Sequence, residues 1–350
     1  MSSSGKHWRG LKKYFPEIDQ IHNPIEPYRV GLILTEQCNL SCRHCWLNSG
    51  PDKTSRMERD EAFSFIDQAK NIPTLEWISI TGGEPFLLQD MLRAVISFAT
   101  NKSLRTECVT NCFWAESEQK ATTILERLQQ VGLEVINISA DDFHQDRLPF
   151  ERVLTCYRAA KKLRMKIVIM CTVSRSSTLT ASRVVSKLGD RGIHILRRGV
   201  SPQEPVRALA IQSGFIPAGR AANIPEQERA IGDGPVNGPC RLVLRDVSIA
   251  PSGHVLSCCS ALGASDAFSI GNARDEELQT IIHRAANMAP FRILMDEGPD
   301  VLLKRIGGVQ TRDYVNRCDL CYEAMTDPKI KEWLSKEGLP FEVELKGAKQ

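Results

Sequence analysis

Between Tyr28 and Ala222, short β-rich runs alternate with helical patterns in six units, and no other feature constrains the fold as strongly. The predicted strands are Arg29–Thr35, Trp77–Thr81, Arg105–Thr110, Glu134–Ala140, Lys166–Val173 and Ile193–Leu196. Ala208–Phe215 reads either as a further strand or as a replacement for the sixth. The intervening segments are amphipathic. Glu116–Val131 places Ala121, Ile124, Leu125 and Leu128 at i, i+3, i+4 and i+7, and Glu151–Leu163 follows a similar period through Val153, Tyr157 and Ala160. Repeated βα units imply an α/β fold with a parallel sheet, either doubly wound or curled into a barrel.

From Pro217 to Pro239, Pro, Gly and Asn accumulate without periodicity, which reads as a linker with a boundary near residue 225. Beyond it, Val247–Ala250 and His254–Ser257 flank Pro251-Ser252-Gly253, a hairpin signal, and Asp275–Ala286 reads as a helix. The charged stretch Pro328–Gln350 reads as a short helix and a frayed tail. The expected organisation is an N-terminal extension (1–27), a βα-repeat domain (28–222), a linker (223–235), a second module (236–325) and a tail (326–350). The 45 Lys plus Arg against 42 Asp plus Glu leave a net charge of +3, so neither a nucleic acid nor a membrane surface is an expected partner. The start of the chain shows no secretory pattern, and no apolar run approaches the roughly 18 residues of a spanning helix, so a cytoplasmic protein is expected.

Twelve cysteines stand out against this background, and in a reducing compartment clustered cysteines bind metal or do redox chemistry more often than they form disulfides. Cys38, Cys42 and Cys45, spaced C-x3-C-x2-C, fall in the loop after the first strand. Three thiolates can hold three irons of a [4Fe-4S] cube and leave the fourth iron open to a substrate or cofactor. A zinc knuckle would need a fourth ligand nearby, which this spacing lacks.

The run Thr35-Glu36-Gln37-Cys38-Asn39-Leu40-Ser41-Cys42-Arg43-His44-Cys45, followed by Thr81-Gly82-Gly83-Glu84-Pro85 at the end of the second strand, resembles the radical S-adenosylmethionine (radical SAM) enzymes. The resemblance covers about residues 28–220 and implies a partial (βα)6 barrel with cluster, SAM and substrate at the C-terminal ends of the strands, where barrel sites lie. It further implies that the open iron chelates SAM, which is cleaved reductively to a 5′-deoxyadenosyl radical that abstracts a substrate hydrogen. Gly82 and Gly83 would let backbone approach the ligand and Glu84 would meet its ammonium, the plainer alternative for Glu84 alone being a carboxylate at a helix start. Ser139 matches a position that touches the SAM ribose, and Thr110-Asn111-Cys112 stands where the family often has Thr-Asn-Gly, with Cys112 replacing the glycine. Arg175 could pair with the SAM carboxylate or simply be solvated.

After the linker, Cys240-x12-Gly253-x4-Cys258, Ile270-Gly271-Asn272 and Cys318-x2-Cys321 resemble the SPASM or twitch module over about residues 236–325. The resemblance implies one closed auxiliary [4Fe-4S] cluster on Cys240, Cys258, Cys318 and Cys321, in the shorter twitch form; four cysteines could on chemistry alone hold structural zinc.

For substrate chemistry, Asp141 and His144 are the candidates for a general base or substrate ligands, with helix capping as their plainer role. Cys259 neighbours an expected ligand, so it is either a hydrogen-atom donor or a spare ligand, and Cys112 is the second candidate donor. Cys108 and Cys156 read as core residues, and Cys171 could face either way. The expected function is modification of a natural-product precursor peptide by crosslinking or epimerisation, with an electron donor such as flavodoxin or ferredoxin. An auxiliary cluster that can accept an electron favours an oxidative outcome over quenching. Residues 1–27 are too few for a separate leader-binding domain, which speaks for the alternative, a dehydrogenase or epimerase of a small molecule such as a sugar or cyclitol. An iron-sulfur electron carrier without catalysis would need neither the segment Thr81–Pro85 nor an open iron.

Overall fold

The computed structural model describes residues 27–196, 207–232, 234–260 and 268–337. The expected N-terminal extension up to residue 26, residue 233 of the linker and the tail beyond 337 lie outside them. Ten strands form one sheet: β1 Arg29–Ile33, β2 Trp77–Thr81, β3 Arg105–Thr110, β4 Leu133–Ser139, β5 Lys166–Val173, β6 Ile193–Ile195, β7 Ala208–Gly214, β8 Asp246–Ile249, β9 His254–Leu256 and β10 Ser269–Asn272. Their order is β10-β9-β8-β1-β2-β3-β4-β5-β7-β6. Every pairing from β8 through β1 to β6 is parallel, whereas β8, β9 and β10 pair antiparallel. Both candidates for the last barrel strand are real. β7 runs beside β5 over the register from Ile167–Ala208 to Val173–Gly214, and the three-residue β6 lies outside it.

The helices are α1 Arg59–Lys70, α2 Gln89–Asn101, α3 Glu118–Gln130, the single turn α4 Asp142–Gln145, α5 Glu151–Lys162, α6 Ala181–Leu188, α7 Leu278–Ala286, α8 Ala289–Asp296, α9 Pro299–Arg305, α10 Arg317–Thr326 and α11 Pro328–Lys336. Their starts follow local chemistry. Ser117 caps α3 through the Lys120 N–H, Thr180 caps α6, and Asn316 accepts from the N–H groups of Cys318 and Asp319 at the head of α10. Gly189 ends α6 in the left-handed conformation. Among the described residues no helix is long and apolar enough to cross a membrane.

The predicted hairpin forms as β8 and β9, but it does not stand apart, because β8 extends the sheet beside β1 from Arg29–Asp246 to Leu32–Ile249. A buried charge cluster pins this junction. Arg29 donates to both carboxylate oxygens of Asp246 on β8 and to Glu107 Oε1 on β3 (2.5 Å), and all three are buried. Glu107 Oε2 accepts from Asn137 Nδ2 on β4 at 3.1 Å. Removing one partner of such a buried ion set costs about 3–5 kcal/mol because the other charges stay buried. The apolar residues Trp77, Val135, Val168, Leu209 and Ile211 form a small cluster near the strands' N-terminal ends, while the larger core packs the helices against the sheet.

Candidate active site

A cavity of about 330 Å³ opens at the C-terminal ends of the strands. Its wall includes Thr81 from β2, Val109 and Thr110 from β3, Asn137 and Ser139 from β4, Met170 and Thr172 from β5, and Ser213 from β7. The loop after β1 brings Cys38, Cys42 and Cys45 to the same wall. Two close approaches shape this face. A Cβ on Gly83 would lie 2.0 Å from the Gln37 carbonyl oxygen, and Gly82 has φ +151° with its Cβ position 2.5 Å from the Thr35 carbonyl oxygen, so only glycine lets the two segments touch. The Glu84 N–H donates to the Gln37 carbonyl at 2.9 Å.

Glu84 is 1% exposed and takes three donors: Thr110 Oγ1 (2.9 Å) and the Phe86 N–H (3.2 Å) on Oε1, and the Asn111 N–H (2.8 Å) on Oε2. It therefore does what a helix-start carboxylate does, capping the 3-10 turn Pro85–Leu88, and it also lines the cavity. A carboxylate has about four acceptor sites, so a fourth donor can still be received. Burial pushes its pKa up to about 7, against the pull of those hydrogen bonds. Pro85 is buried at the first position of the turn and shapes the backbone instead of facing the cavity. Asn111 faces the cavity, yet its side chain is spent on the cysteine loop, donating to Asn39 Oδ1 at 2.9 Å and to Cys38 Sγ at 3.7 Å.

Cys38 and Cys42 are buried and Cys45 half-buried, and none is in a disulfide. Burial first, then the neighbouring thiols and acids, pushes Cys38 up to about 11 and Cys42 up to about 12. Such thiols ionise only when a cation takes the charge, as happens when a metal displaces the protons. Asp141 caps α4 and bonds His144 twice, through the His144 N–H (3.1 Å) and Nδ1 (2.8 Å), while its Oδ2 receives the Thr172 N–H at 3.3 Å. Burial opposes charge on both, but the pair's attraction prevails, holding Asp141 below and His144 above its ordinary pKa. Both line the cavity, so capping and a place in the site coexist.

The sulfur of Cys259 lies 3.5 Å from the position a Cβ on Gly31 would take, and Cys259 lines the cavity while its N–H donates to the Asp246 carbonyl at 2.7 Å. Besides Pro85, two expected site residues are placed elsewhere. Cys112 is fully buried in the core with its thiol against Cys156, because its left-handed backbone (φ +67°), the conformation a glycine would favour, turns the side chain off the cavity wall. Arg175 is exposed, its N–H bonded to the Glu228 carbonyl, and does not reach the wall.

Two further cavity residues, His44 and Arg220, are not among those expected from the sequence. His44 stacks on Phe143 (4.6 Å) and meets His144 edge-on (4.9 Å), with a buried Nδ1 that has no partner among the described residues, and burial lowers its pKa to about 4. Its position inside C-x2-C was the available signal. Arg220 reaches the cysteine loop from beyond β7 and carries no motif to betray it.

The other four candidate ligands lie off the cavity. Cys240 precedes β8, Cys258 follows β9, and Cys318 and Cys321 sit one turn apart on α10. They are neighbours: burial raises Cys321, and the charges of Cys240, Cys258 and Cys318 raise it further. The donor sets can be weighed against their expected occupants. Thiolates around one zinc, at about 2.3 Å each, stand about 3.8 Å apart. Among the described residues, His44, Asp141 and His144 bring their ligating atoms within 4.8 Å of one another. Thiolate donors also suit a four-iron cube, whose thiolates bind separate irons.

Comparison with known proteins agrees with this geometry. The profile of the radical SAM superfamily matches residues 32–178, and that of an iron-sulfur cluster-binding domain, SPASM, matches residues 240–322. YydG of Bacillus subtilis, named for peptide biosynthesis, is 24% identical over 161 residues, 46% of this chain and 50% of that protein. Molybdenum cofactor biosynthesis protein 1 of Mus musculus is 30% identical over 152 residues, 41% of this chain and 23% of that protein. The chain thus spans half or less of these curated relatives. In fold it is similar to native anSMEcpe with bound AdoMet, with a TM-score of 0.50 and 13% identity over 89% of this chain and 99% of that one. The two domains imply a [4Fe-4S] cluster with SAM and auxiliary iron-sulfur binding. The chain thus carries a radical SAM domain followed by an iron-sulfur cluster-binding SPASM domain.

Proposed function

We propose that this chain modifies a peptide during maturation of a peptide natural product, and that Cys259 returns a hydrogen atom to the substrate carbon. The observation that carries the reading is that Cys259 shares one cavity with Cys38, Cys42, Cys45 and Gly82–Glu84, while the four auxiliary candidates stand outside it. When bound, the cluster and SAM supply a radical that removes hydrogen from carbon. Cys38, Cys42 and Cys45 hold that cluster; Thr81, Gly82, Gly83 and Glu84 receive the SAM amino group, and Ser139 its ribose. Asn111 steadies the loop through Asn39 and Cys38. Asp141 favours the protonated form of His144 at the cavity, which suits a carbonyl or carboxylate of the substrate. A thiol near the radical carbon can donate its hydrogen atom from the face opposite abstraction, which inverts that carbon and leaves a thiyl radical that one electron from the reductant and one proton from solvent return to the thiol.

Cys240, Cys258, Cys318 and Cys321 bind the auxiliary cluster in this reading, and the module around residues 236–325 brings Cys259 to the barrel. The naming of YydG for peptide biosynthesis supports the peptide substrate; a sugar or cyclitol is the second reading. A flavodoxin or ferredoxin would be the electron donor, in the cytoplasm. Turnover in deuterium oxide of a precursor peptide encoded beside this gene should fix one deuterium at the inverted carbon, and Cys259→Ala should stop inversion while SAM cleavage continues. A dehydrogenated or crosslinked peptide without deuterium would replace this reading with the oxidative one, and 5′-deoxyadenosine absent under all conditions would favour an electron carrier.

A further inference from the structure

The segment after β7, which the sequence marks as the start of a linker, is bound tightly to the three-cysteine loop. The Arg220 N–H donates to the Cys45 carbonyl at 3.1 Å, its Nε to the Cys42 carbonyl at 3.0 Å and its Nη2 to the Ser49 carbonyl at 2.6 Å. Gly219 makes this approach possible, because with φ +58° a Cβ there would lie 2.3 Å from the Trp46 carbonyl oxygen. A second tie, Arg43 Nη2 to Glu228 Oε2 at 2.7 Å, closes over the outside of the same loop. The segment is itself anchored to the C-terminal module, where Gly214 packs on Val315 and the Gly232 N–H reaches the Tyr314 carbonyl.

Arg220 is half-buried and lines the cavity, so its charge is only partly screened from the loop it clamps. Arginine suits both tasks, since its planar fork bonds two carbonyls at once and it stays protonated. We infer that Arg220 is a positioning residue for the catalytic cluster: it fixes the loop through the Cys42, Cys45 and Ser49 carbonyls and, by its charge, favours the cluster's reduced, more negative state. The inference rests on Cys38, Cys42 and Cys45 being that cluster's ligands.

The test is a potentiometric EPR titration of the reconstituted full-length protein, following the signal that changes when SAM is added, with circular dichroism and total iron as checks on folding. Arg220→Gln should lower the ratio of reduced to oxidised cluster at a fixed potential by about tenfold, equivalent to about 59 mV for one electron. Arg220→Lys keeps the charge but not the fork, and should stay near the parent midpoint while holding less iron. If Arg220→Gln cannot be loaded, Arg220→Lys decides: a parent-like midpoint with less iron supports the inference, and a lowered midpoint, iron as full as in the parent, or no cluster at all overturns it. A parent-like midpoint in Arg220→Gln, or equal shifts in the two variants, also overturns it. A parent protein with no SAM-responsive signal would instead overturn the ligand assignment, and the inference with it.

Discussion

The three cysteines after β1 and the four of the C-terminal module present the same chemistry in opposite settings. Cys38, Cys42 and Cys45 come from one short loop, are steadied from outside by Asn111 and Arg220, and face a cavity. Cys240, Cys258, Cys318 and Cys321 come from three places in the chain, meet only because β8, β9 and α10 are folded together, and lie off that cavity. The first set is a local device with a free side, suited to reaction. The second is a closed set whose formation depends on the fold around it.

The sharpest way to break the comparison is to empty one set at a time. The parent protein should hold about eight irons, and the triple variant Cys38→Ala, Cys42→Ala, Cys45→Ala should keep about four and lose all SAM cleavage. Cys318→Ala with Cys321→Ala should also leave about four irons but still bind SAM. Zinc beside four irons in the parent would remove the auxiliary cube, and 5′-deoxyadenosine from the triple variant would remove the loop cluster from catalysis.

A smaller effect sharpens the cavity side. Glu84→Gln should weaken SAM binding by roughly ten- to a hundredfold, the value of about 1.5–3 kcal/mol for a charge-assisted hydrogen bond, with iron unchanged. Because burial raises the Glu84 pKa from 4.5 to about 7, its charge is lost as pH falls, so SAM affinity should drop from pH 8 to pH 6 in the parent and stay flat in the variant. The stability sign is opposite. A carboxyl with a raised folded-state pKa contributes stability that is present below about pH 4.5 and lost as pH rises through about 7, so Glu84→Gln should flatten that slope in SAM-free protein. Calorimetric titration and thermal melts across this range check both signs. The smallest effect is expected at Arg175→Ala, which should leave the SAM dissociation constant within about twofold, since an exposed side chain off the cavity contributes little.

Much of the barrel was legible because its signals are local. Trp77–Thr81, Arg105–Thr110 and Lys166–Val173 are strands with the predicted bounds, and Cys38, Cys42, Cys45 and Gly82–Glu84 meet at their C-terminal ends. What stayed hidden depends on distant pairing or on side-chain direction. Nothing near Asp246 announces that β8 will lie beside β1, since the pairing is fixed by Arg29 and Glu107 far away in the chain. Cys259 reads as the first candidate donor and Cys112 as the second, and the backbone decides between them: a left-handed turn sends Cys112 into the core, while the gap at Gly31 admits Cys259. Arg220 lay in a stretch whose Gly and Pro content reads as a linker, and the same glycine that suggests looseness there permits a close contact.

The division between an open and a closed cysteine set is tested most directly by EPR of the reduced protein with and without SAM, in the parent and in both cysteine variants. The signal that remains after Cys318→Ala and Cys321→Ala should still change when SAM is added, and the signal that remains in the Cys38, Cys42 and Cys45 variant should not. A SAM-dependent change that persists without those three cysteines would contradict the account.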